Sequence, residues 1–248
     1  MSRSEFYAGS EKMSEENDME KGLDLNKIAR KAGEKHGFVW VTAEFVDLKE
    51  LKLKWKRSSS WAEFSVSDYF KDAPEDVISV IFEHLFARMV GESSAFPENA
   101  IDWLTSSEFT KNKQPTYLRR SKNLSMSSQG EEKNLEQAYE RLIEIGLVNR
   151  NLLLFLSWTK KPSKKLTGYC SVLMYVIGIS SALDNSMVPD FVVDYCLYHE
   201  ICVLQIGFDP NEEMLDKHIH KLLKKHPQWK DAETWLRCHG FLRMHKIL

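Results

Sequence analysis

The sequence predicts an α+β fold in which a mixed sheet packs on helices. Three observations carry that prediction. Residues 38–55 read as β-branched and aromatic runs, and 51–56 alternate leucine or tryptophan with lysine at period two, as strands do. Residues 67–90 and 187–207 instead carry apolar stripes at helical spacing. A chain of 248 residues with 43% hydrophobic content is long and apolar enough to bury a core of its own.

Taken in order, residues 1–22 are polar and Glu-rich with few large apolar side chains, which predicts a disordered tail. An N-terminal α+β region spans 23–110. It opens with a helix at 23–36, with Leu25, Ile28 and Ala32 on one side and Gly37 at its end. Strands follow at 38–46, 48–56 and 62–66. Lys52, Lys54, Lys56 and Arg57, interleaved with Trp55 and Trp61, either touch nucleic acid or form a solvated face over buried tryptophans. The next helix, within 67–90, has Pro74 at its start, Asp72 or Ala73 as cap, and Val77, Ile78, Ile81, Leu85, Phe86 and Met89 as its stripe. His84 lies on it and reads as an ordinary core or surface histidine. A short helix is expected at 98–105.

Residues 111–133, rich in Lys, Asn, Ser and Arg, read as a flexible connection, with Arg119, Arg120 and Lys122 in a solvated loop. A second region, 134–248, begins with a helix at 134–148, a buried strand from Leu152, and an apolar strand at 170–179. Helices at 212–225 and 231–238 close the chain.

The chemically informative stretch is 187–207. Pro189 suits the first helical position, Asp190 the positive helix start, and Gly207 the position past the end. Inside it lies His199-Glu200-Ile201-Cys202-Val203. Its first two letters are those of the zinc-peptidase motif H-E-x-x-H, in which two histidines one turn apart hold zinc and the glutamate activates water. A buried helix with a hydrogen-bonded histidine is the structural alternative.

The flanking residues extend the likeness. Trp158, Gly168-Tyr169, Ile177, Ile179-Ser180-Ser181-Ala182-Leu183-Asp184, Val188-Pro189 and Val193-Asp194-Tyr195 precede the pair. Gly207-Phe208-Asp209-Pro210, Asp216-Lys217-His218-Ile219-His220 and His226-Pro227-Gln228-Trp229 follow it. In this order residues 135–240 resemble the SprT-like, WLM and YgjP-type family of zinc metallopeptidase domains. The resemblance implies a zincin-like core with a central helix bearing the His-Glu pair. It also implies zinc as cofactor, His199 as a metal ligand and Glu200 as the catalytic base. The other two ligand positions map to Val203 and Leu215, aliphatic residues with no donor atom.

That departure implies a degenerate, non-catalytic relative, a pseudoenzyme binding protein or peptide, with zinc absent or weakly held. An alternative rebuilds the metal site from His199 and His218. Another is a nucleic-acid-associated adaptor, because 217–248 holds eight Lys or Arg against two acids, with five histidines. The four cysteines lack C-x-x-C spacing, so Cys196 and Cys202 read as small buried hydrophobes. No apolar run reaches the roughly 20 residues of a membrane span, so no membrane partner and a cytoplasmic location are expected.

Overall fold

The computed structural model describes residues 23–208 and 215–242. The expected tail at 1–22 lies outside them. The chain is α+β, but its strands form two small mixed sheets rather than one.

The first unit starts with α1 (Leu25–Lys35), whose Asp24 side chain accepts the Lys27 N–H at 3.0 Å. β1 (Trp40–Val46), β2 (Leu53–Arg57) and β3 (Trp61–Ser67) follow. β3 lies in the middle, parallel to β1 and antiparallel to β2. Alternation sends Val41, Ala43, Ala62, Phe64 and Val66 inward, where α1 and α2 (Glu75–Met89) cover them. The outer edge of β1 is capped from α1. Asn26 accepts the Ala43 N–H at 2.9 Å, and Arg30 donates to the Val41 carbonyl at 3.2 Å. A 3-10 turn, Asp68–Phe70, joins β3 to α2.

The second unit repeats this plan. α5 (Leu135–Glu144), β4 (Phe155–Trp158), β5 (Gly168–Ser171), β6 (Val176–Ile179), a 3-10 turn at Ser181–Leu183 and α6 (Asp190–Ile206) come in the same order. β6 again sits in the middle, parallel to β4 and antiparallel to β5. Ser67 and Ser180 precede the two 3-10 turns, and Pro74 and Pro189 precede the two long helices. Element order, strand order and strand sense all coincide, so the fold is one helix–sheet–helix unit used twice.

α3 (Glu98–Thr105) and α4 (Ser107–Arg120) lie between the units. The stretch read as a flexible connection, 111–133, is thus helical as far as Arg120. Its low helix propensity and internal Pro115 are offset by tertiary bonds. Thr110 donates to the Leu173 carbonyl, and Gln114 to those of Leu153 and Met174. Arg120 forms a bidentate pair with Asp68 at 2.8 and 2.7 Å and donates to the Leu48 carbonyl, so it is no solvated loop residue. Beyond it, the Asp184 carboxylate accepts the backbone N–H groups of Glu131, Glu132 and Lys133.

These bonds also explain a second departure. The apolar run 170–179 is not one strand but the β5–β6 hairpin, with Tyr175 at φ 51°. α4 takes up the turn's carbonyls, which lets a buried chain reverse without stranding polar groups. Only Phe155–Trp158 of the run beginning at Leu152 is strand. α7 (Leu215–Leu223) and α8 (Trp229–Cys238) complete the chain, close to the predicted helices, although 209–214 lies outside the described residues. No helix among the described residues is long and apolar enough to cross a membrane.

Candidate functional site

α6 is the centre of the second unit. Pro189 precedes it, and Gly207 follows it at φ 87°, a left-handed conformation that favours glycine. Its sides are packed by α5, α7, α8, β5 and β6, and the residues from Val192 through Leu204 are all buried.

Three polar anchors fix its rotation. Arg141 of α5 grips Asp194 through two bonds of 2.8 and 2.6 Å. The Tyr195 hydroxyl donates to Glu233 of α8 at 2.8 Å, and that of Tyr198 donates to the Leu222 carbonyl of α7 at 3.1 Å. His226 lies edge-on to Tyr195 and is buried, and desolvation pulls its pKa below the usual histidine value.

Within this frame His199 is 3% exposed and Glu200 fully buried. The His199 Nδ1 and Glu200 Oε1 atoms are 3.5 Å apart. β5 comes unusually close to the glutamate because it presents Gly168, where a Cβ would lie 3.1 Å from Glu200 Cγ and Oε1. Val203, one turn beyond His199, is 1% exposed and belongs to the hydrophobic core. Burial pushes the Cys202 thiol up to about 12 and that of Cys196 further, so both are protonated, inert core residues.

The two histidines proposed to share a metal differ in setting, for His199 is buried and His218 of α7 is exposed. The side chain of Leu215, at the start of α7, lies outside the described residues. Among the described residues no group of three His, Cys, Asp or Glu side chains could hold a metal ion. Zinc needs about three protein ligands, which the described donors do not bring together, and no step through the metal follows from them. The C-terminal basic side chains Lys221, Lys224, Lys225, Lys230 and Arg237 are exposed.

The repeated plan gives a place to His84, which reads in the sequence as an ordinary core or surface histidine. Counting from the helix-preceding prolines, His84 stands ten residues after Pro74, as His199 stands ten after Pro189. His84 is buried, bonds through Nδ1 to Ser94 Oγ at 2.9 Å, and meets the ring of Phe96 edge-on at 5.3 Å. Phe96 in turn touches Phe208, just past α6. The signal was available as Ala73-Pro74-Glu75-Asp76-Val77-Ile78 against Val188-Pro189-Asp190-Phe191-Val192-Val193, each leading to a histidine. The chain matches no protein-family model, no curated protein and no solved structure.

Proposed function

We propose that the second unit is a zincin-like, metallopeptidase-type domain without a working metal centre, and that the protein acts by binding protein or peptide. The observation that carries this reading is the surroundings of the His-Glu pair. A water-activating carboxylate needs a polarised water, and zinc needs three donors. Glu200 is instead fully buried against Gly168, and the position one turn from His199 holds a core valine. The pair then serves to place a polar contact inside a closed helix–sheet interface.

The test is zinc stoichiometry by elemental analysis, on the parent protein and on the variant Val203→His/Leu215→His. The parent is expected to hold no stoichiometric zinc. The variant, which supplies histidines at both vacated positions, is expected to bind about one ion, and adding His199→Ala removes it. One zinc per parent chain refutes the lost-site reading and favours a site rebuilt from His199 and His218. No zinc in either protein refutes the placement of the vacated positions. Binding to polypeptide is checked separately, by fluorescence anisotropy of a labelled, permanently unfolded chain, and no anisotropy change removes that part of the proposal.

A further inference from the structure

The two units treat the outer face of their sheets differently. In the second unit Tyr169, Val176 and Phe155 face away from α6 and are covered, with Tyr117 of α4 and Leu124 in the same cluster. The matching face of the first unit has no such roof among the described residues. Trp40 there is 65% exposed, and Glu44, Lys54, Lys56 and Glu63 are exposed as well.

On this open face Trp40 and Trp61 are register partners on parallel strands, so their side chains stand side by side about 4.8 Å apart at the backbone. Lys56 is paired with Glu63 in the next row and Lys54 with Ser65 in the row after. Trp55, 47% exposed, and Arg57 pair with Phe64 and Ala62 and so lie on the opposite, helix-facing side of β2. The sequence alternative of a solvated face over buried tryptophans therefore does not hold for Trp55.

We propose that the outer face of the β1-β3-β2 sheet binds single-stranded nucleic acid, with bases stacking on Trp40 and the accessible part of Trp61 and the phosphates following Lys54 and Lys56 along β2. The exposed Trp40 and the half-buried Trp61 on the neighbouring strand offer flat, sequence-tolerant stacking surfaces, the feature that sheet-based single-strand binders use. Lys54 and Lys56 lie on one face two residues apart, about 6.8 Å, which sets a row of cations along a backbone carrying one charge per nucleotide. Glu44 on β1 and Glu63 on β3 repel phosphate from those two strands, which leaves the β2 edge as its track. An acidic peptide would satisfy the lysines but make no use of the paired indoles. The inference is independent of the metal-site reading and of the C-terminal basic residues.

The test uses the full chain and the probe (dT)20, followed by tryptophan fluorescence and by anisotropy of the labelled oligonucleotide between 20 and 200 mM salt. Binding at low salt is expected, with a log–log salt slope of about −1.4 for two phosphate contacts. Trp40→Ala/Trp61→Ala should weaken binding by about tenfold or more, since each lost stack removes a sizeable part of the affinity, while Trp40→Phe/Trp61→Phe retains most of it. Lys54→Glu/Lys56→Glu should weaken it further and flatten the slope. All these side chains are at least partly exposed, and an unchanged melting temperature shows that the variants fold. The proposal is overturned by absence of binding at 20 mM salt, or by binding indifferent to the tryptophan changes. It is equally overturned if Lys224→Glu/Lys225→Glu alone abolishes binding, or if polyglutamate binds as tightly as the oligonucleotide.

Discussion

The grip of Arg141 on Asp194 makes a quantitative prediction, because it ties α5 to the helix that carries His199. The Asp194 side chain is 11% exposed, while that of Arg141 is 39% exposed. Arg141→Met keeps the apolar stem but removes both charge-assisted bonds and strands a nearly buried charge. Breaking a buried pair from one side costs about 3–5 kcal/mol, and the half-open guanidinium lowers that to about 2–3 kcal/mol. For a chain of this size the melting temperature should fall by about 5–10 °C. Arg141→Met/Asp194→Asn should recover most of the loss, since no uncompensated charge is left. The pH dependence follows from the carboxyl itself. Burial raises the Asp194 pKa above its ordinary value and outweighs the opposing pull of Arg141. A raised folded-state pKa contributes stability at low pH that is lost as pH rises through that value. Without Arg141 the value climbs further, so the deficit of Arg141→Met should narrow on acidification towards pH 4. Denaturant titrations of the four proteins in the cycle, at pH 7 and near pH 4.5, read both effects. A single-variant loss below about 1 kcal/mol, or a double variant as unstable as the single, would refute the reasoning.

Two further predictions concern the packing of the two units. His226 is held neutral in the core, its pKa depressed by desolvation, so its contribution is present above the usual histidine value of about 6.5 and is lost as pH falls through its folded value. Thermal melts from pH 7.5 to 5 should show a fall in stability that is smaller in His226→Gln, and an identical fall in both proteins counts against the assignment. Gly33 lies in α1, where alanine is favoured by about 1 kcal/mol on propensity. A Cβ there would stand 2.6 Å from Val41 Cγ2 and 2.9 Å from Phe86 Cζ, and overpacking costs about 1–3 kcal/mol. Gly33→Ala should therefore lower the denaturant midpoint, and a raised midpoint would mean that the α1–β1 interface yields easily.

The elements that were legible in the sequence are those whose signals are local. Pro189 and Gly207 bracket α6, α3 appears at its predicted bounds, and β1 and β3 lie within two residues of the predicted strands, while β2 keeps only the second half of its predicted run. What escaped depends on distant partners. α4 contains Pro115 and a polar, lysine-rich run, and it is helical because Gln114, Tyr117 and Arg120 find partners in both units. The β5–β6 hairpin was hidden because both of its strands are buried, so its apolar run shows no alternation. The His-Glu pair was legible as a motif and its helix as a buried one, yet the close approach of Gly168 to Glu200 was not, since it comes from another strand.

The repeated unit bears on what the buried histidine means. If the second unit's His199 marked only a decayed catalytic centre, no reason would exist for the first unit to carry a histidine at the same helical position. His84 does stand there, buried, and its recorded partners are Ser94 and the Phe96 ring. In both units the position faces the interior of the unit, and the neighbours differ: a serine hydroxyl in one, the adjacent Glu200 in the other. A polar ring at this point is thus compatible with a purely structural role in the shared plan, which strengthens the non-catalytic reading of α6. The units diverge instead on the opposite side of their sheets. One face is closed by α4, and the other holds exposed tryptophan and lysine on a strand edge. Selection for mere stability would bury those indoles, because each leaves a large apolar area in water. Their exposure locates the differentiated surface of this protein on the first sheet rather than around its most motif-like residues.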